Sequence, residues 1–559
     1  MAGPDRESLL VQDVVRCYSE AKSKRGIWEK HWEDIAQLVL PYYETSFYTQ
    51  GNTVPGQERG YQMFDSTANT ALFRFAAAME SMLTPRNGKW HRIRVTDPNL
   101  MKLRNVQLWC DQVNDALFYH RYSPMANYQS QQHDGYIGIG AFGTSCLYID
   151  ELMDNRGRKG LRYRNINLGE VYFQENHQGI VDTVLRRFPM TIRQIAQRKA
   201  GTPDAWIDRL PEKFSGMLAT KPEHVVWVIH RVTPRADFNP IRIDAKGMPF
   251  ESVYVIEDTQ TFLEEGGYRQ LPYAVSRYIT APGEIYGRSP AMNVLPSIKV
   301  LNEEKKTMLE QGHRAVAPVL LAHDDGIMDG LSLKPGATNY GAVNADGRPL
   351  VHTLPIGNVQ IGKEMMDDER AGINDAFLVS LFQIMVESPQ MTATEVLERS
   401  REKGALLSPT MGRFQSESLG PMIEREYSIL LRLGLLPPIP PELIEAKARF
   451  HVEYDAPLNR AMRAEEASGI QRSVQFAAEI AGQTQDPSAL DWFNWDTIIP
   501  EMVDINGAPY RYVNDPDTVA AKRKARQQQQ ATEQITQALP GMAAMAKAAA
   551  PSGAQTPGG

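Results

Sequence analysis

The stretch Gln390-Met-Thr-Ala-Thr-Glu-Val396 opens a helical segment on which Arg399, Glu402, Pro409, Glu417 and Pro421 follow at set intervals. Hydroxyls between Met391 and Thr394 can cap the first turn, and Glu395 places a carboxylate there, where the helix dipole favours it. Val396, Leu397, Leu406 and Leu407 recur at helical spacing. Upstream lies a break, Glu387-Ser-Pro-Gln-Met-Thr392, and before it Ile361 to Val386 is helical, apolar at Met366, Ile373, Phe377, Leu381 and Ile384. Further back, Pro318 to Pro355 is rich in Gly, Asp and Asn with short apolar runs, a compact insertion. Ser289 to Val316 is helical again, apolar at Val294, Ile298, Leu301, Met308 and Leu309, with Pro296 predicting a kink or a late start. The centre of the chain therefore reads helix, small insertion, helix, break, long helix.

Further distinctive segments are spread along most of the chain. They are Trp28-Glu-Lys-His-Trp32 leading to Pro41, Phe64-Asp-Ser-Thr-Ala68 running to Met82-Leu-Thr-Pro85 and Trp90, Gly138-Ile-Gly-Ala-Phe-Gly143, and Tyr286-Gly-Arg-Ser-Pro290 to Leu301-Asn302. Together they resemble the head-to-tail connector (portal) proteins of short-tailed bacteriophages. The resemblance covers Trp28 to Leu436 and is most specific at Ser289 to Asn302 and Met391 to Pro421. None of these motifs is catalytic.

The resemblance implies an α+β fold with an α/β wing, a two-helix stem, a small clip insertion and a helical C-terminal crown. The spans it implies are a wing at 1–285, stem helices at 286–317 and 360–386, and a clip between them at 318–359. A tunnel loop at 387–393 follows, then a long wing helix and return strand at 394–455, a crown at 456–519, and a polar helix or disordered tail at 520–559. It further implies a ring of twelve copies at one vertex of a procapsid, through which double-stranded DNA passes. Expected partners are the terminase motor, tail adaptor proteins, and capsid and scaffolding proteins. No cofactor, metal or membrane is expected, and assembly in the host cytoplasm into a virion is. The candidate tunnel-loop residues are Glu387, Ser388, Pro389, Gln390 and Met391, and the candidate bore-facing acidic run is Asp367, Asp368 and Glu369.

Composition is compatible with that resemblance without pointing to it. Among 559 residues, 60 Lys and Arg stand against 67 Asp and Glu, a net charge of −7 that does not recommend the chain as a DNA-binding module. The three cysteines, Cys17, Cys110 and Cys146, are far apart and form no CxxC pair, which argues against a disulfide framework or a structural zinc site. No run of about 18 apolar residues occurs, and the N-terminus has no signal-peptide core, so a soluble chain from a reducing compartment is expected. On the first of the two central helices Lys299, Lys305, Lys306 and Arg314 face Glu303, Glu304 and Glu310. On the second, Lys363 and Arg370 face six carboxylates, Glu364, Asp367, Asp368, Glu369, Asp375 and Glu387. A channel along which DNA slides gains from such a balance, because each neutralised phosphate adds salt-dependent affinity.

Elsewhere, Arg6 to Leu40 is a helix stopped by Pro41, its two tryptophans placed as core, and a second helix capped by Asp65 or Ser66 ends at Pro85. Ala116 to Tyr136 is helix-like. Strand-like runs follow at Cys146–Ile149, Val171–Phe173, Val225–Ile229, Ser252–Ile256 and Tyr273–Tyr278. Phe450–Tyr454 is a further strand, Ala461–Ile480 a helix, and Trp492–Val503 carries enough aromatic weight to be packed.

Three spellings come near enzyme motifs. Gly138-x-Gly140-x-x-Gly143 matches a dinucleotide fingerprint, but there a strand must precede and a helix follow, and here the order is reversed; close packing at a helix-to-strand turn is the better reading. Gly357 to Lys363 has P-loop spacing, but Glu364 occupies the position of the magnesium-binding hydroxyl and would repel phosphates. A packaging ATPase or nuclease is therefore the disfavoured alternative. His451-x-Glu453-x-Asp455 shares one strand face without a partner cluster, and reads as a solvated face rather than a metal site. The basic runs Arg86 to Arg94 and Lys522 to Arg526 are too short for a nucleic-acid surface.

Overall fold

The computed structural model describes residues 6–44, 46–47, 56–153, 159–198, 205–322, 331–354, 359–379, 411–447, 449–455, 457–484, 487–505, 512–514 and 517–530. It is a mixed helix and sheet protein. Its backbone contacts divide it into two units: Met1–His91, Ala116–Leu436 and Ala456–Met462 form the first, and Arg92–Asp115, Pro437–Asp455 and Arg463–Gly559 the second. The segment Arg92–Asp115, inside the span 1–285, thus groups with the C-terminal part of the chain.

The first unit is built on helix α1 (Arg6–Val39), helix α2 (Thr67–Leu83) and two antiparallel sheets. Strands β4 (Val171–Glu175), β5 (Val181–Thr191), β6 (Val225–Pro234), β7 (Phe250–Ile256) and β8 (Thr261–Tyr268) run in chain order across a five-stranded sheet. Alternation gives it two buried faces. On one, Val11, Val14, Tyr18 and Ala21 of α1 meet Tyr172, Leu185, Ile229, Val253 and Val255. On the other, Ile192, Ile195, Trp206 and Phe214 cover Val226, Val228, Tyr254 and Ile256. In the second sheet β2 (Thr144–Met153) lies between β3 (Lys159–Ile166) and β9 (Tyr273–Arg277).

Strands β3, β5 and β8 escape a pattern search because charged residues interrupt them. Those of β5 and β8 have partners on neighbouring elements: Arg186 pairs with Glu170 at 2.9 Å and Arg187 with Glu257 at 2.6 Å, while Glu264 accepts the Trp206 indole N–H at 2.7 Å. The expected helix Ala116–Tyr136 is two helices, Arg104–Arg121 and Tyr128–Phe142, here α3 and α4. Asn127 takes the left-handed conformation between them, at φ 57°. The turn that separates them, Ser123-Pro124, is visible in the sequence once Pro124 is taken as a stop.

The second unit pairs β1 (His91–Val95) with β12 (Phe450–Tyr454). His451 is exposed, but Glu453 and Asp455 are not a solvated face as expected: Glu453 pairs with Arg94 at 2.5 Å and buried Asp455 lies 3.4 Å from Arg92. Cross-strand arginines, not a metal, neutralise these carboxylates, and they also remove Arg92 and Arg94 from any basic surface. The helices Pro457–Thr484 and Trp495–Ile505 follow. Trp492 is almost fully exposed and Trp495 partly so, against the expectation that this aromatic stretch is packed.

Candidate channel helices and their anchorage

Helix α5 (Leu295–Val316) begins with Pro296 in its first turn, and a separate short helix, Pro290–Asn293, precedes it: a late start rather than a kink. The chain then forms the two-stranded pair β10 (Leu320–Ala322) with β11 (Val351–Thr353) and enters helix α6 (Val359–Ala376). The described part of α6 stops ten residues short of Val386: Leu378 takes a left-handed φ of 58°, which a leucine adopts only where the chain must turn. Residues 380–410 lie outside the described residues, and with them the tunnel-loop candidates Glu387 to Met391.

α5 and α6 pack closely at Gly362, where a Cβ would stand 2.8 Å from the Met308 sulfur. The described part of the P-loop spelling, Val359 to Lys363, therefore forms the first turn of α6, with Gly362 used for helix contact. Met366 and Ile373 are buried on α6, and buried Phe377, just past its end, meets Phe75 of α2 edge-on at 6.3 Å.

Polar joints fix the two helices to the rest of the unit. The Asn302 carboxamide oxygen accepts from the Phe64 backbone N–H at 2.7 Å, and its amino group donates to the Gln62 carbonyl at 2.9 Å. Asp65 caps α2 by accepting from the Thr67 N–H at 2.9 Å, and it also accepts from Arg370 of α6 at 2.7 Å. Burial alone would raise the Asp65 carboxyl, but the hydrogen bonds from Thr67 and Arg370 outweigh it and hold the group below the usual carboxylate range. Lys299 reaches Asp34 of α1 at 2.8 Å.

The remaining quoted motifs are joints of the same kind. Gly140 faces Leu72 and Phe75, which a Cβ would approach to 2.5 and 2.9 Å, and Gly143, at φ 74°, lies backbone to backbone against Gly287. Ser289 donates to the Ala141 carbonyl at 2.7 Å and caps the Met292 N–H at 2.9 Å. Tyr286 stacks among Trp28, Trp32 and Phe173. Glu417 stands in a five-residue π-turn, Gln415–Leu419, just before helix α7 (Gly420–Arg432), and takes two bonds from Arg277, at 3.1 and 2.7 Å. Pro421 has no N–H for an ordinary helical bond, which favours the wider turn. Two turns on, fully buried Glu426 accepts from Arg121 at 3.0 and 3.1 Å and from the Tyr163 hydroxyl at 2.6 Å. The Arg121 guanidinium also lies over the rings of Trp90 and Phe118, at 4.8 and 4.9 Å. Desolvation disfavours its charge, and Glu426 more than restores it, raising the arginine pKa.

The acidic run does not present one charged face. Successive helical residues point about 100° apart, so Asp367, Asp368 and Glu369 project in three directions. Asp367 pairs with Arg370 at 2.9 Å, Asp368 is exposed, and Glu369 is half-buried.

Beyond the joints the helices run out of core. Leu295, Ile298 and Leu301 are buried, whereas Leu309 and Val316, farther along the same side of α5, are 45% and 88% exposed. Ile361 and Met365 of α6, and Val319, Leu321, Tyr340 and Val343 around the strand pair, are exposed as well.

With this geometry in view, the chain matches a family model described as bacteriophage head to tail connecting protein over residues 11–513. The chain belongs to that family. It is similar to a probable portal protein of Bordetella phage BPP-1, 28% identical over 530 residues that cover 92% of this chain and 91% of that protein. It is also similar to the portal protein of Salmonella phage epsilon15, 26% identical over 564 residues, 100% of this chain and 96% of that one. Among the residues of this head-to-tail connecting protein that sequence patterns did not single out, Arg277 and Arg121 matter most, since each makes contacts distant in sequence, while Arg370 and Gly362 were noted in the sequence only for charge and for a P-loop spelling. Asp65, Asn302 and Glu417 stood in the quoted motifs, but nothing local told what they bind.

Proposed function

We propose that the chain assembles into a closed ring of twelve copies at one vertex of the capsid and forms the channel through which double-stranded DNA enters and leaves. The ring would take up the terminase motor during packaging and tail adaptor proteins afterwards, alongside capsid and scaffolding proteins. In this reading α5 and α6 are the stem, 318–359 the clip between them, 387–393 the tunnel loop, 394–455 the long wing helix and return strand, 456–519 the crown and 520–559 a tail. The chain acts as a structural part without chemistry of its own, assembled in the host cytoplasm and carried in the virion.

One observation carries the reading: an apolar side of α5 that begins in the core continues past it into solvent at Leu309 and Val316. An amphipathic helix whose stripe outruns its own core is suited to a neighbour, and a repeated head-to-tail contact either closes into a ring or propagates as a filament. The relatives named as portal proteins support closure. Electron microscopy of the purified protein tests it. A ring with a central hole is expected; a monomer at micromolar concentration by native mass, with no ring visible, would reject it.

A further inference from the structure

The first turn of α4 lines a recess of about 570 Å³, which Glu80 near the end of α2 and Arg86 just past it also border. A helix start leaves its first backbone N–H groups, here those of Tyr128, Gln129 and Ser130, without intrahelical acceptors. No side chain caps them: Asn127, at the N-cap, is in the left-handed conformation and accepts from the Ser130 hydroxyl instead. Two further donors stand at the floor of the recess. The Tyr128 hydroxyl and the Arg121 Nη1 have no hydrogen-bond partner among the described residues, although Tyr128 is 2% and Arg121 0% exposed. Buried polar atoms without partners are rare, and each calls for a group that meets it. At the mouth, Arg86 is exposed and has no ion pair among the described residues.

Charge alone does not select the ligand. Arg86 and Arg121 stand against Glu80, Asp134 and the Glu426 that pairs with Arg121, and His133 adds a cation only when protonated. What selects it is the kind of group left unmatched. Glu80 accepts from Gln129 at 3.2 Å and lies 2.7 Å from His133 Nδ1. Asp134 apart, the unmatched groups are donors: three backbone N–H groups, one hydroxyl and two guanidinium groups. Donors at a helix N-terminus suit an anion, and these outnumber what the two oxygens of a carboxylate can serve, which favours a tetrahedral oxyanion. Asp134 narrows the choice further. It stands one turn after Ser130 on the same side of α4, and helical side chains lean toward the N-terminus. A carboxylate there accepts a proton from phosphate, which keeps at least one at neutral pH, and repels sulfate, which keeps none. A nucleic-acid strand suits the recess poorly, since the phosphates on either side of a bound one would meet Glu80 and Asp134.

We propose that the N-terminus of α4 binds one inorganic phosphate ion, which accepts from the Tyr128, Gln129 and Ser130 N–H groups, the Tyr128 hydroxyl, Arg86 and Arg121, and donates to Asp134. The Tyr128 and Arg121 atoms are shut off from solvent, so the ion reaches them by a small turn of the Tyr128 ring. The site lies within one chain and does not depend on ring closure. Calorimetric titration of the full chain with sodium phosphate at constant ionic strength, beside a parallel titration with sodium sulfate, tests it. One site per chain is expected, with a dissociation constant on the order of 1 mM for phosphate and binding of sulfate roughly 10-fold weaker. Tyr128→Phe keeps the ring and removes the hydroxyl, and Arg86→Gln changes an exposed side chain; each should weaken phosphate binding roughly 10-fold. Asp134→Asn, whose amide can donate, should bring sulfate up to the level of phosphate. Should Tyr128→Phe fail to fold by circular dichroism, Arg86→Gln carries the test. No binding of phosphate by the wild type, or binding that these variants leave unchanged, overturns the site. Equal binding of sulfate and phosphate by the wild type overturns the part given to Asp134. Binding of a short DNA duplex that Arg86→Gln and Tyr128→Phe abolish overturns the free ion in favour of a nucleic-acid phosphate.

Discussion

Replacing Leu309 and Val316 by serine should separate the folding of one chain from the assembly of many. Neither side chain is part of the core of a single chain: 45% of the Leu309 surface and 88% of the Val316 surface stand in solvent. Full burial of such a side chain contributes about 2 kcal/mol. Covering what is now exposed would then add about 0.9 kcal/mol at Leu309 and about 1.8 kcal/mol at Val316, roughly a 100-fold change in association at each subunit contact. Serine at a buried contact also brings a hydroxyl that needs a partner, so the loss should be no smaller than this. The assay is native mass or sedimentation across a concentration series, with circular dichroism to follow the fold of the single chain. The expected result is an unchanged helical signal with rings that dissociate at concentrations where the wild type stays whole. Rings as stable as wild type would refute the idea that this apolar stripe is covered by a neighbour, and a lost helical signal would show that both residues act within the chain.

Four further outcomes are expected. Glu426→Ala strands the Arg121 guanidinium in the interior and should cost about 3–5 kcal/mol in denaturant titration, whereas the paired change Arg121→Met with Glu426→Leu should recover most of it; equal stability of the single variant and wild type would contradict the burial of this pair. His91 and His230 are buried, and desolvation pushes their pKa values well below 6.5, so both stay neutral in the fold but charge on unfolding; stability is full above about pH 6.5 and declines as pH falls below it, by up to about 1.4 kcal/mol per histidine per pH unit. His230→Gln should flatten that slope, and an unchanged pH dependence would count against it. Gly140→Val should drive a side chain into Leu72 and Phe75 and lower the denaturation midpoint markedly, while Gly312→Val, which meets nothing nearby, should leave the midpoint unchanged or raise it slightly, since valine is the better helix former of the two. Asp367→Asn, Asp368→Asn and Glu369→Gln together should make assembled rings hold DNA more tightly in a salt titration; since Asp367 is engaged with Arg370, Asp368→Asn alone should account for most of the change if that side of α6 lines the bore.

The order helix, insertion, helix, the five strand-like runs, the interruption at Pro296 and the packing glycines of Gly138 to Gly143 were legible because each is local, while the choice of a late start over a kink came from the fold. Helical periodicity, a missing N–H and a missing Cβ act within a few residues of themselves. The strands that escaped notice, β1, β3, β5 and β8, are those whose charged residues break the alternation, and in β1, β5 and β8 partners on other elements make such residues acceptable there. The same limit explains His451 to Asp455: three polar residues on one strand face suggest water until Arg92 and Arg94 are brought alongside by pairing of β1 with β12.

Sequence by itself determined the family, since the chain matches the connector family over residues 11–513, and it determined where most helices and several strands lie. Only the tertiary structure decided what those motifs are for. Asp65, Asn302, Ser289, Gly287 and Glu417 each act on a partner remote in the chain, and a carboxylate, a carboxamide or an absent Cβ has the same letter whether it meets water or a buried arginine. The direction of the acidic run was likewise beyond sequence: three adjacent carboxylates read as a single block of charge on paper, but a helix turns them apart and assigns one to Arg370, one to solvent and one to partial burial.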